Sequence, residues 1–285
     1  MITRARRRAY ERVIYFLLTL STLFVVLPVV LIVYFLVSRG LPAMTWEFLT
    51  QAPRDNMTAG GIMPAIVGTL ILMTGTILLS VPFGVLSAVY LTEYSKRGLF
   101  VRMIRLAIVN LAGVPSIVYG LFGLGLFVLA LHFGASILSG SLTLAVLVLP
   151  IIITASEEAL LTVPQSFREA SLALGATKWQ TVRNVVLPNA IPGILTSVIL
   201  GLSRAAGETA PILFTVAAYY LPHLPRTIFD QAMVLPYHLY TLATQVPNVK
   251  PETQWGTALV LLLIVLGMNF AATLIRLRFR RARKW

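Results

Sequence analysis

The chain has 285 residues, 58% of them hydrophobic and 12% charged, and it carries a net charge of +13 without a single cysteine. That composition excludes an ordinary soluble domain and points to an integral membrane protein. The missing cysteines exclude disulfides and thiolate metal sites, and they leave the redox compartment undetermined.

A helix rising about 1.5 Å per residue needs roughly 20 apolar residues to cross a hydrocarbon core about 30 Å thick. Six windows meet this: Val13 to Val37, Pro64 to Leu91, Ile104 to Leu131, Ser136 to Thr154, Ile191 to Ala218 and Gly256 to Ile275. The expected fold class is an all-α integral membrane protein with six transmembrane helices. The first window follows "TRARRRAYER", which looks like the charged start of a signal peptide. Its apolar run is too long and no small-x-small cleavage site follows, so it is expected to remain as an anchor.

The position of each basic residue decides what the positive charge means. Arg4, Arg6, Arg7, Arg8 and Arg12 precede span one; Lys96, Arg97, Arg102 and Arg105 lie between spans two and three. Arg168, Lys178 and Arg183 lie between spans four and five, and Arg276, Arg278, Arg280, Arg281, Arg283 and Lys284 follow span six. The alternate loops hold Arg39, Arg54, Arg226 and Lys250. The bias puts both termini in the cytoplasm and makes basicity a matter of topology, with no nucleic-acid partner. Arg204 is the remaining cation, inside span five.

Span three carries "GVPSIVYGLFGLG". Pro115 removes a backbone donor, and Gly113, Gly120, Gly123 and Gly125 expose backbone for close helix packing. A kinked, tightly packed helix and direct substrate contact by Ser116 or Tyr119 both remain open. The long outward loop after span five is proline-rich, with a run from Ile228 to Leu242 that could lie as an interfacial helix. Tyr219, Tyr220, Tyr237, Tyr240 and Trp255 suit an aromatic belt. That loop reads either as a surface lid or as a docking surface. His132, His223 and His238 lack metal-ligand spacing.

The inward loop between spans four and five reads "EEALLTVPQSFREASLALGATKWQTVRNVVLPNAIPG". Helical spacing at Phe167, Ala170, Leu172 and Leu174 is stopped by Gly175, and a second helical run from Thr177 is expected to end at Leu187-Pro188. Two short helices and a turn make a compact knob for a partner's groove, with Glu169 or Lys178 for orientation.

This loop resembles the EAA loop of type I ABC-transporter permeases, whose pattern is EAA, three residues, Gly, nine residues, Ile-x-Leu-Pro. Glu169-Ala170-Ser171, Gly175, Val185, Leu187 and Pro188 fall at those spacings, with Ser171 and Val185 as mild substitutions. "GVPSIVYGLF", "VPQSFREASLALGATKW" and "RAAGETAPILFT" together look like the A-type permease subunit of the phosphate-specific branch. The resemblance implies a type I permease fold over 64–276, flanked by an N-terminal anchor and outer loop over 1–63 and a basic tail over 277–285.

It also implies a prokaryotic inner-membrane location and a coupling helix built on Glu169, Ala170, Gly175, Leu187 and Pro188. The implied partners are a sister permease subunit, two cytoplasmic ATPase subunits and an extracytoplasmic phosphate-binding protein. Nothing in the chain matches G-x-x-x-x-G-K-[ST], so ATP and Mg are expected on the partner ATPase, with no cofactor, metal or catalytic residue on this chain. The family often places an Arg three residues before a Glu at the end of span four. Here Thr154 precedes Glu157, so the glutamate carries over to the path and the arginine does not.

Inside span five, "SRAAGETAPILFT" sets Arg204 and Glu208 four residues apart. At about 100° per residue, Ser197, Arg204, Glu208, Pro211 and Thr215 form one stripe of a continuous helix. A charge at the bilayer centre costs about 2.5 to 3.5 kcal/mol, so this stripe is expected to face a bundle interior or an aqueous path. An intrahelical ion pair and a transient anion site both remain open.

Three classes of function compete: an ABC permease, a secondary carrier and the membrane anchor of an enzyme complex. The EAA loop and the lack of an inverted repeat disfavour the carrier, and the lack of paired intramembrane histidines disfavours the anchor. Within the first class the alternative cargo is another oxyanion, sulfate or molybdate.

Overall fold

The computed structural model describes residues 4–96 and 98–281. Arg97, Arg283 and Lys284 of the basic count lie outside the described residues. The helices are α1 (Arg4–Gly40), α2 (Trp46–Thr50), α3 (Met63–Val89), α4 (Leu99–Ala112), α5 (Ser116–Gly123), α6 (Ile137–Leu161), α7 (Gln165–Ala173), α8 (Lys178–Thr181), α9 (Leu187–Ala206), α10 (Ala210–Thr215), α11 (Leu235–Thr244) and α12 (Pro251–Arg281). A two-stranded antiparallel ribbon, β1 (Pro53–Arg54) and β2 (Ala59–Gly60), closes the turn before α3.

The bundle is built around α6, which packs chiefly against α3 and α9. Its most apolar window is 67% buried, whereas the still more hydrophobic window of α1 has 0% buried. α1 leans on α12, where Gly40 brings the backbone so close that an added Cβ would fall 2.8 Å from the Trp255 carbonyl. An apolar helix with so little covered surface is stable in lipid and not in water.

Five helices are long and apolar enough to span, and α4 with α5 makes a sixth only as a pair bent by 105°. Span three is therefore broken, not merely kinked. Pro115 has no N–H and disfavours the helical region for Val114, so the chain leaves the helix at Gly113. The Tyr119 hydroxyl, 2.7 Å from the Leu111 carbonyl, satisfies a backbone acceptor released at the bend. Of the four glycines expected to aid packing, Gly120 and Gly123 do so, against α10 and Thr143. Gly113 and Gly125 face no close neighbour that their lack of Cβ accommodates.

Span five is also interrupted. α9 ends at Ala206 and α10 restarts at Ala210 with Pro211 in its first turn. A proline at 211 would drive its ring into the carbonyl of residue 207 and push Ala210 out of the helical region, so a continuous helix through this point is barred. The expected single stripe from Ser197 to Thr215 is corrected accordingly.

Three further boundaries differ from expectation. α6 continues past Thr154 to Leu161. The second helix of the inward loop does not stop at Leu187-Pro188 but runs from Lys178 to Ala206 as one rod. A π turn over Val182–Val186 makes this possible: Leu187 donates to the Val182 carbonyl, and the donor that Pro188 lacks falls where the bonding pattern changes. α12 remains helical to Arg281, past the expected end of span six at Ile275.

The outer loops form a packed cap. Phe48, Met57 and Ile62 from before α3 share a core with Met233, Leu235, Leu242 and Val246 from around α11. The stretch from Phe48 to Ile62 is thus continuous in packing with α11. α11 is buried through Leu235, Tyr237, His238, Thr241 and Leu242, so it is no interfacial helix, and Tyr237 belongs to the core rather than to an aromatic belt.

Candidate functional site

Arg204 lies in the last turn of α9, where a cation meets the partial negative charge of the helix C-terminus. Glu208 lies beyond that end, its N–H donating to the Ala205 carbonyl at 3.2 Å. The Nε to Oε1 distance of the pair is 3.7 Å, with the arginine side chain 39% and the glutamate 16% exposed. This is a long, weak contact between partners on two sides of a helix break. It leaves most of the guanidinium fork uncommitted to Glu208.

The other stripe residues do not join them. Ser197 is fully buried and its hydroxyl lies 2.8 Å from that of Ser156, joining α9 to α6. Thr215 is fully buried in α10, and its hydroxyl donates to the Pro211 carbonyl at 2.9 Å. Both hold the helices that carry the charged pair.

Glu157, next to Ser156 near the C-terminal end of α6, is buried and receives Arg105 Nη1 on Oε2 at 2.9 Å. Arg105 also donates to the Leu91 carbonyl at 2.8 Å. Thr154, where an arginine was missing, donates to the Pro150 carbonyl at 2.8 Å. Thus α4 provides the guanidinium that α6 lacks. Arg105, first counted as a loop cation, is a helical residue with a specific partner.

The inward loop forms an elbow at the end of the bundle that carries the basic loops. α7 ends in a Schellman turn: Gly175, at φ +82°, donates to Leu172, and Ala176 donates back to Ser171 at 3.2 Å. Thr177 and Gln180 then form a reciprocal capping box that starts α8. Leu174 is 89% exposed at the tip, with Leu172 and Trp179 exposed beside it. Glu169, Ala170 and Gly175 lie on this exposed surface, whereas Leu187 and Pro188 are half-buried within the rod that continues into α9.

The element is fastened by a pair absent from the expected sites. Arg168 on α7 meets Glu93, with Nη2 to Oε1 at 2.7 Å and Nε to Oε1 at 3.1 Å. Glu93 lies in the π turn, Tyr90–Tyr94, that ends α3.

Residues 80–284 match the family described as the inner membrane component of binding-protein-dependent transport systems. The chain belongs to that family. As a permease, it is a multi-pass inner-membrane subunit of an ABC importer, and the ATPase is a separate partner. It is similar to the phosphate transport system permease protein PstA 1 of Mycobacterium tuberculosis, with 36% identity over 98% of this chain and 91% of that protein. The corresponding PstA of Mycobacterium leprae is 38% identical over 95% of this chain and 90% of its own length.

Among solved structures, a bacterial ABC transporter that imports the acidic polysaccharide alginate matches with TM-score 0.65 and 13% identity, covering 95% of this chain and 96% of that one. The inward-facing MetNI methionine transporter gives 0.56 and 19%, over 77% and 94%. These likenesses establish the type I permease fold.

The pairings of Arg105 and Arg168 were not expected from the sequence, because basic residues near span ends read as topology. One signal was available. The permease has 10 acidic residues against 23 basic ones, so a glutamate at an apolar span end calls for a guanidinium partner. Among the described residues, no group of three or more His, Cys, Asp or Glu is arranged to hold a metal ion.

Proposed function

We propose that this chain is the A-type permease subunit of an ATP-driven inorganic phosphate importer, forming half of its translocation path. The observation that carries the reading is the loosely held Arg204 beside Glu208 at the α9–α10 break. A guanidinium offers a fork to phosphate oxygens, while a carboxylate accepts a hydrogen bond from a remaining P–OH. Sulfate has no such proton and would meet a bare negative charge. The names of the PstA relatives support the same cargo.

In this reading the chain pairs with a sister permease, two cytoplasmic ATPases holding ATP and Mg, and an extracytoplasmic phosphate-binding protein. The basic-residue bias supports cytoplasmic termini and puts the α7–α8 elbow on the ATPase side. Leu172, Leu174 and Trp179 supply the apolar docking surface, with Glu169, Ala170 and Gly175 around them. ATP binding closes the ATPases, the elbow moves, and a rigid-body shift of the helices turns the central path from the cytoplasm to the exterior. The Arg105–Glu157 pair braces the cytoplasmic side of that route, while Ser197 and Thr215 hold it from behind.

The test is co-purification of the assembled complex, reconstitution in liposomes and measurement of binding-protein-dependent ATPase activity with phosphate. Stimulation by phosphate and not by sulfate or molybdate is expected. Stimulation by one of those anions instead would reassign the cargo, and failure to recover an ATPase would remove the importer reading.

A further inference from the structure

We infer that Arg168 and Glu93 form the joint through which the elbow moves the helices, so that they set how much transport each ATP hydrolysis yields. The inference rests on the importer reading above and extends it to positioning residues that touch neither cargo nor nucleotide.

The first observation is how α7 is attached. None of its side chains is fully buried, so no apolar plug anchors it to the bundle. A cavity of about 480 Å³ opens beside it, lined in part by Thr92, Glu93, Gln165, Arg168 and Lys178. Across that space Arg168 makes contacts that tie α7 to two other elements, the turn that ends α3 and the end of α6. On the Glu93 side it meets both carboxylate oxygens, the second with Nε to Oε2 at 3.4 Å. On the α6 side Nη1 donates to the Val163 carbonyl at 2.5 Å and Nη2 to Leu160 at 2.9 Å.

One side chain on α7 therefore satisfies carbonyls at and just beyond the end of α6 and grips the turn that ends α3. The guanidinium and carboxylate side chains are 11% and 9% exposed, so the bond is sheltered from water. A rigid planar fork suits a joint, since several bonds in one plane hold an angle as well as a distance.

The second observation is what lies at the far side of the joint. Ala88 and Val89 of α3, Leu160 and Val163 at the end of α6, and Val182, Val186 and Ile194 of the α8–α9 rod form one buried core. A displacement of α7 carried by Arg168 enters that core at α3 and α6 together. The Ser171 and Thr181 hydroxyls lie 2.9 Å apart and tie α8 to α7, while Lys178 lies over the Tyr94 ring at 5.2 Å and ties α8 to the same turn that holds Glu93. Polar groups with fixed geometry can pass on such a motion because the packed cores they join do not deform continuously.

The experiment uses the complete complex in liposomes, with ATP hydrolysis and phosphate uptake measured on the same vesicles. Glu93→Gln and Arg168→Gln are expected to retain the ATPase subunit and its hydrolysis while phosphate moved per ATP falls about tenfold, the scale for losing charge-assisted hydrogen bonds. Arg168→Lys, which keeps the charge and loses the fork, should fall between wild type and Arg168→Gln.

Unchanged phosphate per ATP in both glutamine variants would overturn the inference. A parallel fall in hydrolysis, uptake and co-purification would do the same, because the pair would then be a folding element. If Arg168→Gln does not assemble, Glu93→Gln decides, since Glu93 lies outside the docking elbow. Absence of an ATPase from the wild-type preparation would count against the importer reading instead.

Discussion

Arg168–Glu93 and Arg204–Glu208 join the same two functional groups and are built to opposite ends. The first pair is short, with Nη2 to Oε1 at 2.7 Å, and its guanidinium also donates to two backbone carbonyls. The second is a 3.7 Å contact across a helix break, with its arginine 39% exposed. A sheltered pair whose guanidinium already bonds a carboxylate and two carbonyls transmits force and has little left to offer a ligand. A loose, half-exposed pair transmits little but can exchange its partner for an anion. The role of an ion pair here follows from what else the guanidinium already bonds.

The largest expected effect comes from removing the loose arginine. Arg204→Gln should lower phosphate uptake about 100-fold, the scale for a lost charged contact of roughly 3 kcal/mol, while the complex still assembles with its ATPase. Normal uptake would end the anion-site reading. Glu208→Gln should keep ATP hydrolysis and shift selectivity toward sulfate, read as competition between the two anions for uptake. Unchanged selectivity and transport would make Glu208 a structural residue.

Arg105–Glu157 is an intermediate case: a half-exposed guanidinium on a buried carboxylate whose second oxygen has no hydrogen-bond partner among the described residues. Breaking a buried pair on one side costs about 3 to 5 kcal/mol, and exposure of the arginine reduces this to about 2 kcal/mol. Arg105→Gln should therefore lower the unfolding midpoint of the detergent-solubilised complex. Adding Glu157→Gln should recover most of the loss, because the stranded charge is gone. No recovery in the double variant would show that Arg105 acts mainly through the Leu91 carbonyl.

The spans and the elbow were legible because each rests on local information. Apolar run length marks a membrane helix, and Gly175 stops α7 through its own backbone conformation. The breaks at Pro115 and Pro211 were harder, since hydropathy is blind to a bend that keeps composition constant. Pairings such as Arg168 with Glu93 lie 75 residues apart and depend on how α3 and α6 pack, which no local pattern records. The basic-residue count itself hid them, because a cation explained by topology invites no search for a partner. The outer cap was missed for a related reason: an amphipathic run reads alike whether lipid or Phe48 and Leu242 cover it.

His238 gives the comparison its limiting case, a buried titratable group with no counter-ion. It lies in the cap on α11, is 2% exposed, and its Nδ1 has no hydrogen-bond partner among the described residues. Burial lowers its pKa to about 4, from about 6.5 in an unfolded chain. Between those values the unfolded chain binds a proton that the folded one refuses, so stability is retained above about pH 6.5 and declines as pH falls toward 4. The loss between pH 6.5 and pH 5.5 should be about 1 kcal/mol, and it should disappear in His238→Gln. Thermal midpoints of both proteins across this window measure it directly. Equal pH slopes would mean that the cap opens to water around His238, and the contrast between sheltered and exposed polar groups would then apply to the helices and not to the cap.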